Sequence, residues 1–469
     1  MTTTDQTPRL NRAQHGRPAA PVRIVHLGIG NFTRAHQAWY TEHAPDAEQW
    51  GIAAFTGRRP DVADVLTPQD GLYTLVIGAA DGDRYEVISS LSAVHPATDH
   101  EAFLGYLRSP ATAIITTTVT EAGYQRADDG HLDAAKDVVA ADIAGLTGGG
   151  DYAPQTAPAK VVDGLRARRE AGVGALTILP CDNLPNNGEA FATVIRDLAQ
   201  LVDPSLADWI DEHVSFATSM VDRITPATTD ATRAQVTAAQ GYVDESPVPT
   251  EPFSEWVVAG EFPAGRPAWD AAGAAIVDDV EPFEQRKLWL LNGSHSLMAY
   301  AATIVGHTEV REGIEDPLVR GWVDAWWDTA ANHLTVPAED VVAYRAALVD
   351  RFANPQVHHL LAQIAADGSQ KIPVRIFPAL LAERAAGRLP DAPVRAIAAW
   401  LLHLQGHGAP VNDARGEQFV ELAAGKPVGD AARAVLGVLE PRLAQDDEVI
   451  AAIERLAAEL LELEGTAGA

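Results

Sequence analysis

Short apolar runs alternate with helical patterns from residue 22 to about residue 280, and this alternation restricts the fold more than any other feature of the chain. Strands separated by helices predict a mostly parallel sheet covered on both faces. The first unit, VRIVHLGIG at 22–30 followed by FTRAHQAWYTEHA, reads as strand, glycine turn and helix, the opening of a dinucleotide-binding fold. Gly28 and Gly30 would allow a tight turn and close approach of the backbone to a pyrophosphate, with unpaired N–H groups offered by the helix N-terminus. Thr33 stands where the usual third glycine would be. On this stretch alone an ordinary strand-to-helix turn has equal weight.

Further strand-like runs occupy 50–57, 72–78, 85–94, 113–120, 175–183 and 214–225. LYTLVIG and YEVISSLSAV, joined by AADGDR, predict a hairpin insertion. Open α/β sheets bind ligands outside the C-terminal ends of their strands, where Thr118, Thr120, Asn183 and Asp222 fall. Beyond residue 280 the pattern is almost wholly helical. The expected architecture is therefore α/β: a tail at 1–20 that is disordered, a dinucleotide-binding Rossmann-type domain at 21–280, and a mainly α-helical catalytic and substrate domain at 281–469. GLTGGGDY at 145–152 reads as an exposed flexible connection.

Composition narrows the partners. The 35 Lys plus Arg against 64 Asp plus Glu leave a formal charge of −29, which opposes nucleic acid phosphates and anionic membranes and favours a small-molecule partner. The single cysteine, Cys181, excludes an internal disulfide. No apolar run approaches the roughly 20 residues of a membrane span, and residues 1–20 lack the apolar centre of a signal peptide. The expected location is the cytoplasm.

Two constellations carry chemistry. KLWLLNGSHSLMAY at 287–300 is apolar except for Lys287, Asn292 and His295. On an α-helix Asn292 and His295 are i and i+3 neighbours, and Lys287 lies roughly 80° and about 12 Å from His295. One broad face presents all three, and partial burial would lower the lysine pKa toward the range useful for proton transfer. The structural alternative has Lys287 snorkelling, Asn292 kinking the helix beside Gly293, and His295 as a satisfied core histidine. In PCDNLPNNG at 180–188, which follows a strand, an asparagine fixed in the loop can offer its amide to an oxygen that gains negative charge; the alternative is that these residues only shape the turn, Asn187-Gly188 reading as a turn pair, and cap the next helix. Cys181 reads as a small core residue. Adjacent His358 and His359, one cysteine and no HExxH motif give no expectation of a metal.

GIGNFTRAHQAWY resembles the GxGxFxRAHQ signature of the polyol-specific long-chain dehydrogenases, the mannitol 2-dehydrogenase family, which includes fructuronate and tagaturonate reductases and arabinitol dehydrogenases. QDGLYTLV, PCDNLPNNG, SMVDRITP and KLWLLNGSHS match further blocks of that family in the same order, over roughly residues 22–380. The resemblance implies metal-independent, NAD(P)-dependent oxidation of a sugar alcohol to a ketose, D-mannitol and D-fructose foremost, with D-fructuronate reduction or another hexuronate or pentitol as the alternative. It implies Lys287 as general acid/base, Asn183 and Asn292 around the developing oxyanion, and His295 orienting the substrate oxygen. Asp222 and Asn186 would contact substrate. DGSQKIPVRIFP at 367–378 resembles the substrate-pocket segment, so Lys371 and Arg375 would meet hydroxyls or a carboxylate. Gly28, Gly30, Asn31, Phe32, Arg34, Arg58 and Thr118 would line the cofactor. The family is often monomeric, so a monomer or weak homo-oligomer is expected. A non-catalytic nucleotide sensor of the same fold would need no lysine proton acceptor.

The active site is expected in a cleft between the two domains. An acidic residue normally binds the adenosine ribose of NAD about 20 positions past the glycine turn. Here FTGRRPD places Arg58 and Arg59 there, with Asp61 the first carboxylate. The residues lean toward a 2′-phosphate and the family toward NAD(H). NAD(H) is kept as the slight preference, with NADP(H) as the other.

Overall fold

The computed structural model describes residues 7–57, 59–150 and 152–467, and the chain divides into two compact units, Met1–Glu281 and Pro282–Ala469. In the first unit six parallel strands form one sheet, ordered Leu91–His95, Gly51–Phe55, Val22–Leu27, Ile114–Thr117, Leu176–Pro180, Val214–Phe216. Numbered along the chain within this sheet the order is 3-2-1-4-5-6, the doubly wound dinucleotide-binding arrangement. Successive residues of a strand point to opposite faces: Val25, Ala53 and Phe55 enter one apolar core, and Ile24, Ile52 and Ala54 enter another. Helices His100–Leu107, Ala157–Glu170 and Asn187–Val202 contribute to the first core, and Gln37–His43 with Trp256 and Trp269 to the second.

The hairpin is present, Tyr73–Ala79 pairing antiparallel with Gly82–Ile88, but the run at 85–94 is two strands. It breaks at Ser89 and Ser90, both buried. The Ser90 hydroxyl donates to the Ala38 carbonyl at 2.7 Å and its own carbonyl accepts from Ile52 N–H at 2.9 Å, so the chain leaves the hairpin and joins the edge of the parallel sheet. Similarly, the run at 214–225 divides into Val214–Phe216 of the large sheet and Thr218–Asp222, which pairs antiparallel with Glu255–Ala259.

Residues 7–20 correct the expectation of a disordered tail over that stretch. Leu10 is fully buried beside Leu72, Val76 and Tyr242. The Arg12 guanidinium donates to the carbonyls of Asp70, Arg17, Ser89 and Leu91 at 2.5–2.9 Å, and Arg17 pairs with Glu42 at 3.1 Å. One leucine and two arginines thus hold a segment whose composition alone suggests disorder. In the 145–152 segment, helix Asp137–Gly148 takes the first glycines, Gly149 and Gly150 turn with φ of 69° and 98°, and Asp151 lies outside the described residues.

In the second unit, Ser294–Ile304 and Asp391–Leu404 are the central helices, buried almost throughout, and they pack on each other and on Pro317–Ala331. Among the described residues no helix is long and apolar enough to cross a membrane.

Candidate active site

The glycine turn leaves the C-terminal end of Val22–Leu27, at the point where the strand order reverses. Gly28 has φ of 100° and donates its N–H to the Phe55 carbonyl at 3.0 Å. A Cβ there would sit on the Thr118 carbonyl oxygen, so only glycine fits. Gly30 has open space about it, the nearest atom to a Cβ being the Gly28 oxygen at 3.8 Å. Together they leave a backbone that a pyrophosphate can approach. The following helix is shorter than its sequence predicts. It breaks at His36 (φ −119°, ψ −88°) into Asn31–Ala35 and Gln37–His43, because Arg223 takes the Ala35 carbonyl at 2.5 Å and His36 Nε2 pairs with the Glu255 carbonyl at 2.9 Å. With a helix of only five residues, its local N–H groups rather than a long macrodipole face the turn.

Several residues assigned to the cofactor shape this turn from within. Asn31 donates to the Pro226 carbonyl at 2.9 Å and to the Thr228 hydroxyl at 3.2 Å, while its Oδ1 accepts from Arg34 at 2.7 Å. Arg34 is buried and also donates to the carbonyls of Gly30 and Ser246; burial lowers its pKa to about 10. Phe32 is half-buried and stacks on His36, with centroids 5.0 Å apart. Thr118 donates to the Gly28 carbonyl at 2.8 Å. Arg58 lies outside the described residues.

Thr33, in place of the third glycine, has a use for its hydroxyl. It lies 2.8 Å from His26 Nε2 and 2.6 Å from the Thr118 hydroxyl, and His26 Nδ1 lies 2.8 Å from the Thr116 hydroxyl. A buried imidazole, which the sequence reading missed, thus ties the first and fourth strands to the turn. Burial pushes its pKa down to about 4 from the ordinary 6.5. The unfolded chain takes up this proton near pH 6.5 and the folded one only near 4. The stability it contributes is complete above pH 6.5 and is lost as pH falls through that window, roughly 3 kcal/mol in all. Between pH 7 and 4.5, urea unfolding should show the native chain losing about 2–3 kcal/mol more than His26→Gln. Equal losses would mean the imidazole is protonated inside the fold.

The loop after Leu176–Pro180 carries Asn183, which is exposed. Asp182 beside it accepts from the Tyr124 hydroxyl at 2.6 Å and from Leu184 N–H at 3.1 Å, and burial raises its carboxyl to about 6 despite those donors. Asn186 adopts a left-handed conformation, φ 55°, and donates to Glu189 at 3.2 Å. Asn187 and Gly188 are not the expected turn pair. They open helix Asn187–Val202, and the fully buried Asn187 amide bridges to Ser219, giving to its carbonyl at 2.9 Å and receiving its N–H at 3.0 Å. That bridge fixes the loop to strand Thr218–Asp222, at whose end Asp222 is buried. Arg223 donates to the Glu251 and Ala35 carbonyls. Cys181 is fully buried, and burial pushes its thiol up, as suits a core residue.

In the second unit Lys287, Asn292 and His295 lie on one continuous helical segment, but it is not uniformly α. Glu281–Arg286 is α, Lys287–Gly293 is a π-helix, and Ser294–Ile304 is α again. The 100° step assumed from sequence therefore fails between Lys287 and Gly293. Two indoles of helix Pro317–Ala331 hold the wider turn: Trp326 donates to the Trp289 carbonyl at 2.8 Å and Trp327 to the Leu290 carbonyl at 2.9 Å. The Ser294 hydroxyl also donates to Leu290, at 2.5 Å. Lys287 and Asn292 are half-buried. His295 is 8% exposed, its ring centroid 4.9 Å from Phe352 and 5.1 Å from His359. π turns recur at functional sites because they re-aim side chains within a packed helix.

Arg375 reaches this segment, donating to the Asn292 carbonyl at 3.3 Å and the Ser296 hydroxyl at 3.1 Å, and burial lowers its pKa to about 10. Lys371 donates to the Ile364 carbonyl at 3.1 Å; burial and then Arg375 lower its pKa. Among the described residues no three His, Cys, Asp or Glu side chains gather as a metal ion would require.

The mannitol dehydrogenase Rossmann domain model matches residues 22–271 and the mannitol dehydrogenase C-terminal domain model matches 279–460. The chain is 37% identical to D-mannonate oxidoreductase of Escherichia coli (strain K12), over 89% of this chain and 88% of that one. Its fold matches Pseudomonas fluorescens mannitol 2-dehydrogenase, solved as a ternary complex with NAD and D-mannitol, with a TM-score of 0.78 and 33% identity over 98% of both chains. It also matches a D-sorbitol dehydrogenase in substrate-free form, with a TM-score of 0.87 and 30% identity over 96% of this chain and 95% of that one. The protein belongs to the mannitol dehydrogenase family.

Proposed function

We propose that the protein is a metal-independent, nicotinamide-dependent oxidoreductase that interconverts a sugar alcohol and its ketose, D-mannitol and D-fructose in the first place. The observation that carries this reading is Lys287, Asn292 and His295 on one helical segment: the first two lie on the π turn Lys287–Gly293, which two tryptophans hold open, and His295 follows in the α-helix Ser294–Ile304. A sensor module would need no such proton acceptor. The acidic chain with its one cysteine fits a cytoplasmic enzyme acting as a monomer or weak homo-oligomer.

The glycine turn fits a dinucleotide: Gly28 closes it where no side chain can enter and Gly30 leaves room above the backbone. Gly28, Gly30, Asn31 and Phe32 would hold the pyrophosphate side, Arg34 and Thr118 keeping the turn in shape. A nicotinamide dinucleotide held there, NAD(H) by preference, would supply the hydride chemistry. The chain's own residues then have only a proton to manage and charge on one oxygen to stabilise. Lys287 takes the alcohol proton during oxidation and returns it during reduction. The amides of Asn183 and Asn292 donate to the oxygen as it gains negative charge, and His295 orients it. Asp222 and Asn186 contact the hydroxyl chain, with Lys371 and Arg375 at its far end.

A second reading, reduction of D-fructuronate, is supported by the 37% identity to D-mannonate oxidoreductase and by the adjacent cations Lys371 and Arg375. Initial rates of NADH oxidation with D-fructose and D-fructuronate, measured side by side, separate the two. Turnover of fructose with no gain from the carboxylate is the expected result. A strong preference for fructuronate would make the second reading correct, and no turnover of either would remove both.

A further inference from the structure

Strand Gly51–Phe55 lies beside Val22–Leu27, and the residues just past its end meet the adenosine ribose in a dinucleotide fold of this strand order. A carboxylate there binds the ribose diol and repels a 2′-phosphate. This chain has none at that position. Thr56 is buried, its hydroxyl turned inward to accept from Ala97 N–H at 2.8 Å. Gly57 is exposed and brings no side chain of its own, and among the described residues other than its chain neighbours no atom lies within 4 Å of where a Cβ would stand. Arg59 and Asp61, further along the same loop, line a cavity of about 630 Å³ with Asn31, Arg34, Arg233 and Glu245 among its other walls.

The three lining arginines are not equivalent. Arg34 is committed to the Gly30 and Ser246 carbonyls. Arg233 is committed to the Glu245 carbonyl at 2.9 Å and to Asp230 at 2.5 Å. Among the described residues Arg59 has only a loose approach to Asp61, 3.8 Å from Nε to Oδ2, and its side chain is 86% exposed. At that distance and exposure Asp61 holds it weakly. A phosphate, with more charge and three acceptor oxygens, competes for the guanidinium with ease.

We propose that the adenosine end of this site accepts the 2′-phosphate of NADP(H) as well as the 2′-hydroxyl of NAD(H), with Arg59 as the cation that meets the phosphate. The inference rests on the reading of the glycine turn as a nicotinamide dinucleotide site, and it assigns to that site a dual cofactor specificity. Asp61 opposes the phosphate from the same loop, so the gain over NAD(H) is limited and both cofactors are used.

The test compares 5′-AMP with adenosine 2′,5′-bisphosphate, which differ only in the 2′-phosphate, by calorimetry on the full chain and on Arg59→Ala and Arg59→Lys. The bisphosphate is expected to bind at least as tightly as 5′-AMP. Arg59→Ala should weaken it by about tenfold or more while leaving 5′-AMP unchanged, and Arg59→Lys should recover part of the loss. NADPH oxidation with the accepted ketose should show the same selective loss in kcat/KM, with NADH unaffected. Bisphosphate binding about tenfold or more weaker than 5′-AMP, or equal in the native chain and Arg59→Ala, overturns the proposal while the NAD(H) reading stands. Binding of neither nucleotide, with no NADH oxidation, overturns both.

Discussion

Lys287→Ala is expected to lower kcat by about 10²–10⁴, the range that a positioned general acid/base contributes, with NADH affinity almost unchanged. The split follows from where the residue sits. Lys287 opens the π segment of the second unit, whereas the glycine turn with its Gly28 and Gly30 lies in the first. Deleting the amine would remove the proposed proton acceptor while every residue of that turn is kept. Because the loss is of transition-state stabilisation, kcat and kcat/KM should fall together. Single-turnover measurements with NADH and the ketose locate the defect in the chemical step, and NADH fluorescence titration supplies the affinity. Near-normal turnover in the alanine variant would sink the role assigned to Lys287. A loss confined to KM would make the lysine a binding residue instead.

The alternation that placed five of the six parallel strands and the hairpin was legible because each strand must bury both faces or one, and the apolar spacing records which. Its failures have identifiable causes. At Ser89-Ser90 the β pattern runs on while the chain changes sheets, because the break is made by bonds to Ala38 and Ile52, remote in sequence. The tail at 7–20 has too few apolar residues to predict order, yet Arg12 finds four carbonyls. Among the residues proposed for the site, Lys287, Asn292 and His295 stand out in the sequence as polar interruptions of an apolar helix, and Asn183 as a strand-end amide. His26 and Asn187 were not. A histidine within VRIVHLGIG is indistinguishable by pattern from any strand residue, and its three hydroxyl partners come from Thr33, Thr116 and Thr118. The π turn was equally hidden, since KLWLLNGSHS has good α periodicity and the donors that stabilise its displaced carbonyls arrive from Trp326 and Trp327.

That dependence yields the second large effect. Gly293 closes the π segment against the face of Trp326, and a Cβ added there would stand 2.7 Å from the indole Nε1 and Cζ2. Both partners are buried, so the ring cannot swing into solvent. Gly293→Ala must therefore displace either the helix or the indole that donates to the Trp289 carbonyl at 2.8 Å. The strain should destabilise the chain by about 1–3 kcal/mol, as overpacking of a dense core does. The larger consequence is for Asn292 and His295, which flank the glycine. A shift on the order of 1 Å in groups that position a reacting oxygen is worth about 10²-fold in rate, and kcat should fall by that order. Trp326→Phe tests the same coupling from the other side, since it deletes the donor while keeping an aromatic ring, and it should also lower kcat with NADH affinity preserved. If Gly293→Ala unfolds at the native urea midpoint and turns over normally, the tryptophan-held π turn has no part in positioning the site.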